Sequence, residues 1–245
     1  MKFLNLRYDF DWGIPFREPF LGWLLTGVKL TLIIAVVTAI ASLLLGTVIA
    51  IMRTSRFKFL NIPGTIYVEI VRNIPGLFWL LFFYFMFPQL LPEALSEALN
   101  RYSYYSVVAG ILGLTIDNSA YVSDIVRTGL LAIPRGQIEA AVSTGLNRFQ
   151  QIRYIILPEA FRMILPPLGT RMIHNFKNSS LCMAIAAPEL TWATQQVESI
   201  TFRGLEVTFL ATVFYVALSL LMAFLLIRLE IWLKIDITSA NRMRT

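Results

Sequence analysis

Residues 30–52 read LTLIIAVVTAIASLLLGTVIAIM and contain no charged side chain. A helix rises about 1.5 Å per residue, so about 20 apolar residues cross a hydrocarbon core of about 30 Å. This stretch is long enough by itself, with residues 22–29 leading into it. The rest of the chain agrees with a membrane setting. Of its 245 residues 57% are hydrophobic and 15% are charged, with a mean hydropathy of +0.67. Soluble domains carry about 25% charged residues, and a soluble fold of this composition would expose large apolar patches.

Four further segments fit the same length rule. Residues 73–92 are uncharged, with Pro75 and Pro88 predicting kinks or helix ends. Residues 102–122 are interrupted by Asp117. Residues 160–187 contain Arg171, His174 and Lys177 and are expected to break at Pro166 and Pro167. Residues 207–227 run uninterrupted. The expected fold is an all-α membrane protein with a core of five transmembrane helices, in one transmembrane domain over residues 1–245. Residues 1–22, mixed in charge, form an extramembrane lead-in without the basic-then-apolar order of a cleaved signal peptide.

The net charge of +6 is distributed by loop. Arg53, Arg56, Lys58 and Arg72 fill the first gap; Arg127, Arg135, Arg148, Arg153 and Arg162 fill the third; Arg228, Lys234, Arg242 and Arg244 end the chain. The intervening gaps lean acidic, with Glu93 and Glu97 in one and Glu189, Glu198 and Glu206 in the other. Basic loops stay in the cytoplasm, which places the N-terminus outside and the C-terminus inside. Five crossings satisfy both ends. This placement assigns the basic residues to topology, so no nucleic-acid partner is expected.

The longest basic gap, residues 133–158, reads as a cytoplasmic helix–turn–helix. Pro134 opens it, Ala140 and Ala141 are small helix formers, and Gly145 is suited to a left-handed helix end. Asn147 is a candidate cap for the second helix, which Leu157 and Pro158 would close. Physics alone gives two equal readings: a small-residue helix seated in a partner's groove, or an amphipathic connection packed on its own bundle.

Glu139-Ala140-Ala141, Gly145, Ile155 and Leu157-Pro158 resemble, at matching spacing, the EAA motif of ABC importer permeases. The resemblance implies a type I importer permease fold, with this loop as the coupling helix on a cytoplasmic ABC ATPase dimer. Gln137, Glu139, Ala140, Ala141, Gly145, Leu157 and Pro158 would then carry ATPase coupling. Val71-Arg72-Asn73-Ile74-Pro75, Ala120-Tyr121 with Asp124 and Arg127, Lys177-Asn178-Ser179-Ser180-Leu181 and Pro188-Glu189-Leu190 resemble motifs of the polar amino acid branch. Asp124 stands where that branch usually has Glu. Asp11-Trp12-Gly13, with Leu21-Gly22-Trp23, is most similar to glutamate/aspartate-type permeases. The implied partners are the ATPase, a second permease subunit of the same or a related sequence, an extracytoplasmic amino acid binding protein and the bilayer of a bacterial inner membrane.

Polar groups at membrane depth cost about 2.5–3.5 kcal/mol each on translocon scales and flag a cavity or a polar partner. Asp117, Asn118 and Ser119 form one such cluster and Asn178, Ser179 and Ser180 another; Arg171, Lys177 and Glu189 complete the candidate substrate pathway. Each cluster reads equally as a substrate contact or as groups pairing among themselves. Arg171 and Lys177 can attract an acidic side chain, pair with Asp117 or snorkel. The expected substrate is glutamate, aspartate or their amides.

Residues 22–29 approach a phosphate loop, but no Lys-Ser/Thr follows the second Gly. One Cys and one His offer no metal set and little catalytic machinery. No cofactor and no enzymatic activity are therefore expected of this chain, ATP and Mg belonging to the partner ATPase. An ATP-independent channel or ion-coupled carrier is the alternative reading.

Overall fold

The computed structural model describes residues 8–233, and its regular structure is entirely helical among them. Lys234, Arg242 and Arg244, part of the topology argument, lie outside the described residues, as does Arg7.

Helix α1 runs from Phe20 to Thr54, 35 residues, about 52 Å at the standard rise. It starts inside the expected lead-in and includes Lys29. Its sides are sorted by size more than by polarity. Gly27, Thr31, Ala35, Thr38, Ser42 and Gly46 face the bundle, while Val36, Ile40, Leu44 and Val48 face outward. Lipid is as apolar as leucine, so close backbone approach through small residues is what holds membrane helices together. A Cβ at Gly46 would lie 2.7 Å from the Ser119 carbonyl and from Val122.

The first gap is not a plain loop. Lys58–Asn73 forms α2, because Gly64, Val68 and Val71 make one face that packs on Ile49 and Ala120. Ile74 before Pro75 is extended, the conformation that a following proline favours, and the chain bends by 104°. Within the expected second span, helix resumes at α3, Gly76–Leu81, and continues through a π turn and a 3-10 turn to Leu90. Helix α4, Glu93–Arg101, is a short surface helix where an acid-leaning loop was expected.

Helix α5, Tyr105–Leu131, is the central post, touching α1, α2, α3 and α8. It passes the expected limit at Val122 because Ser123, Val126 and Gly129 are still buried. At Gly113 a Cβ would meet the Leu80 backbone nitrogen at 2.8 Å, and at Gly110 the Cys182 sulfur at 2.7 Å.

Beyond the coupling segment, α8 runs from Leu157 to Asn178. The break expected at Pro166 and Pro167 does not occur there. The two prolines withdraw hydrogen-bond donors from a single turn, and a crevice of about 280 Å³ beside Met163 and Pro167 leaves room for water at that turn. The real break comes later. Ser179–Ile185 tightens into a 3-10 turn, Ala186 is left-handed at φ 54°, and Pro188 precedes α9, Leu190–Thr201. Helix α10 spans Gly204–Trp232.

Helices α1 and α10 are each long and apolar enough to cross a membrane, and the bent pair Lys58–Asn73 with Gly76–Leu90 meets that test jointly. Helices α5 and α8 have 27 and 22 residues and match the required length, but both carry charges. The segment before α1 is strapped to α10 by Glu206, fully buried, which accepts from the Tyr8 hydroxyl at 2.7 Å and the Asp11 N–H at 2.9 Å. That hydrogen bond holds the Tyr8 phenol above its ordinary pKa.

Because the contact at Gly113 is with backbone, Gly113→Val should lower the thermal midpoint of the purified protein, at a cost of about 1–3 kcal/mol. Gly136→Ala, with nothing within 4 Å of the added carbon, should be neutral or slightly stabilising; equal midpoints for both variants would refute the close-packing account.

Candidate functional site

Asp117, Tyr121 and Asp124 stand at i, i+4 and i+7 on α5 and so share one face. Arg171 of α8 reaches that face. Its guanidinium donates to Asp117 at 2.9 Å and also to the Asn118 carbonyl oxygen, and it lies 3.9 Å from the centre of the Tyr121 ring. Asn118 in turn donates to the Ser42 hydroxyl of α1 at 2.6 Å, and Ser119 meets the Tyr67 hydroxyl of α2 at 2.7 Å. Arg72, paired with Asp124, is also near Tyr121, 5.5 Å from its ring centre. Asp124 also accepts from Arg53 at 2.6 Å.

The result is a ladder of three guanidinium groups and two carboxylates threaded past one tyrosine. It ties α1, α2 and α8 to α5. Its formal charge is +1, from three Arg against two Asp. Arg53 is 7% exposed and its Nε has no partner, whereas Arg72 is 46% exposed. Arg53 therefore depends on Asp124, and Arg72 is the member with access to solvent.

Four predicted pathway residues, Asp117, Asn118, Ser119 and Arg171, are thus assembled into one buried cluster. The others are not part of it. Glu189 is fully buried as the N-cap of α9, accepting from the N–H groups of Thr191 and Trp192 and from the Tyr215 hydroxyl, each at 2.9 Å, and from Thr31 at 3.4 Å. Those donors fill its oxygens and give it a fold-holding part. Ser179 and Ser180 bond back to the carbonyls of Phe176 and Lys177 within their own turn. Asn178 is half-buried at the end of α8, and Lys177 is exposed. Of the three options open to Arg171, pairing with Asp117 is the one realised.

In sequence, Arg53 and Arg72 read as topology signals, and Arg72, Tyr121 and Asp124 stand out through family likeness. The 117–121–124 spacing was the available signal for a charged helix face. Tyr67 and Ser42 carried none.

At the other end of α5 lies the predicted coupling segment. Pro134 caps α6, Arg135–Ser143; Gly145 is left-handed at φ +79°; and Asn147 caps α7, Arg148–Gln151, in a reciprocal capping box with Gln150. Gln137, Glu139 and Ala140 point outward, while Ala141 is packed inward. One expectation fails: Leu157 and Pro158 do not close the second helix. A π turn over Ile152–Ile156 carries α7 straight into α8, and this local widening lies directly before Pro158, which donates no N–H to the preceding turn.

Removing one member of the Asp117–Arg171 pair strands a buried charge, which costs about 3–5 kcal/mol. Asp117→Leu should therefore lower thermal stability strongly, and Asp117→Leu with Arg171→Met should recover most of it. Additive losses in the double variant, measured by melting in detergent, would show that the pair is not the linkage.

Two solved structures share this architecture. An amino acid ABC transporter crystallised with histidines superposes at TM-score 0.79, with 29% identity, covering 91% of this chain and 99% of that one. An inward-facing methionine ABC transporter shares the fold at TM-score 0.71 and 22% identity, covering 89% of this chain and 99% of that one. In sequence, the glutamine transport system permease of Escherichia coli (strain K12) is 34% identical over 93% of this chain and 99% of its own length. A glutamate/aspartate import permease of Escherichia coli O6:H1 is 34% identical over 89% of this chain and 97% of its own. The model of the binding-protein-dependent transport system inner membrane component matches residues 42–233, which contain the ladder and the whole coupling segment. The chain belongs to that family of inner membrane transport components.

Proposed function

We propose that this chain is the permease subunit of an ATP-driven importer for a polar amino acid, spanning a bacterial inner membrane five times with its N-terminus outside. The observation that carries the proposal is the coupling segment. Val142, Phe149, Tyr154 and Leu157 are each more than half exposed there, around a glycine whose missing side chain faces open space. Apolar surface at the end of a charged, basic connection supports a protein partner better than lipid.

The mechanism follows from how that segment is joined. A cytoplasmic ATPase dimer, holding ATP and Mg, seats Gln137, Glu139 and Ala140 in its groove. Because α7 passes without a hinge into α8, displacement of the loop moves α8 against α5. Arg171, on α8, then shifts against Asp117, Asn118 and Tyr121, where the polar pathway is built. An external binding protein delivers the amino acid to the space between this subunit and a second permease chain, since α1 and α10 present mainly lipid-compatible outer faces.

For the substrate, the ladder favours an uncharged polar side chain. Arg171 is already neutralised by Asp117, and Lys177 is exposed outside the cluster. Neither stands as an unpaired cation within the buried cluster. We therefore favour amides over glutamate and aspartate. Competition of labelled glutamine uptake in proteoliposomes should be stronger with asparagine than with aspartate; the reverse order would return the assignment to acidic amino acids.

The coupling assignment is tested with Gly145→Asn. Asparagine tolerates the left-handed conformation, and the added atoms meet nothing in this chain. The variant should fold normally yet lose co-purification of the ATPase and ATP-driven uptake by about tenfold or more, equal to about 1.4 kcal/mol of docking energy. Normal recovery and uptake would exclude docking at this glycine. Solute movement by the purified chain without ATP would support a channel or ion-coupled carrier instead.

A further inference from the structure

At the end of α5 remote from the coupling segment is a cavity of about 410 Å³, bounded by the turns after α3, the end of α4 and the start of α5. Small-molecule sites occupy about 300–1,000 Å³. Its walls carry the carboxamides of Gln89 and Asn100 and the hydroxyls of Tyr84, Tyr102, Ser103 and Ser106. Among the described residues, no charged side chain lines it. Ser106 is only 9% exposed, and its hydroxyl has a single contact, the Ala186 carbonyl at the limiting distance of 3.5 Å. The aromatic wall is held in place: the Tyr84 ring stacks on Tyr105 at 5.9 Å, and the Tyr105 hydroxyl donates to the Phe83 carbonyl at 2.5 Å.

The cavity has a floor. Ser106, Gly110, Gly113 and Asp117 follow one strip of α5, and the two glycines are closed over by Cys182 and by the Leu80 backbone. Along that strip, two close approaches at Gly110 and Gly113 lie between the cavity and the buried ladder at Asp117.

We propose that this cavity is a waiting site that binds a free amino acid with an uncharged polar side chain before the floor opens. The hydroxyls of Tyr102, Ser103 and Ser106 receive its carboxylate, aided by the positive end of α5. Gln89 and Asn100 match a carboxamide donor for acceptor. The Tyr84 ring takes the ammonium through its face. An acidic side chain finds no cation here and is left uncompensated, and an aliphatic one forgoes the hydrogen bonds of the exposed Gln89 and Asn100 carboxamides. Calling the ligand the transported solute rests on the import reading above; the site itself does not.

The test is maleimide labelling of Phe85→Cys, an exposed wall position given no part in binding, in the complete transporter in nanodiscs. Cys182 is fully buried, so the unsubstituted protein supplies the background rate. Glutamine at about twice its Kd should slow labelling about threefold, while glutamate and leucine at the same concentration should not. Adding Asn100→Leu should abolish the protection. No protection by any amino acid, or equal protection by glutamine and leucine, would overturn the proposal. Protection by the amino-acid-free binding protein alone would overturn it too, assigning the cavity to a loop of that protein. ATP-driven uptake in the same preparation separates the two claims: protection without uptake keeps the site and removes the import reading, and uptake without protection does the opposite.

Discussion

A charge on a helix at the centre of an apolar bundle must be paired, and α5 carries two such carboxylates on one face. Three neighbours of α5 are tied to it by that requirement. Arg171 fixes α8 at Asp117, Arg53 fixes α1 at Asp124, and Arg72 fixes the end of α2 beside the 104° bend. Tyr121 is near both pairs, with two guanidinium groups within 5.5 Å of its ring centre. The energetic value of such pairs lies less in net stabilisation than in specificity. A misregistered helix would strand a charge, and that penalty exceeds what any single apolar contact returns.

Around this ladder the packing obeys membrane rules. Apolar side chains gain nothing by leaving lipid for protein, so α1 directs its glycines, threonines and serines inward and its branched residues outward. The same logic places Gly110 and Gly113 against Cys182 and Leu80. Close backbone approach makes these contacts intolerant of added atoms. It also makes them discrete, because two helices in such contact either touch or separate. That is the property a gate requires.

The coupling segment and the ladder are mechanically one piece. Helix α5 ends immediately before α6, and α7 continues through its π turn into α8. A force applied at Gly145 is delivered to two helices whose mutual grip is a salt bridge near their centres. Pro166 and Pro167 lie on α8 between the loop and Arg171, so that stretch has fewer backbone hydrogen bonds than a regular helix. Bending there is less costly than elsewhere along the path.

The amino-acid sequence alone determined that the chain enters a membrane, because hydropathy and helix rise are local properties and residues 30–52 satisfy both. It also determined the local structure of residues 134–151. The signals of Pro134, Gly145 and Asn147 are each complete within a turn of chain, and all three act as their chemistry predicts. The tertiary structure decided what depends on partners distant in sequence. Glu189 looked like a pathway residue but is a helix cap, because Thr31 and Tyr215 arrive from other helices to share its oxygens. Arg53 and Arg72 looked like topology signals but pair with Asp124 about 50 to 70 residues away, a separation that no periodicity encodes. The bend after α2, the unbroken α8 and the floor beneath the Ser106 cavity likewise follow from which helix faces meet, and helix faces meet only once the bundle has closed.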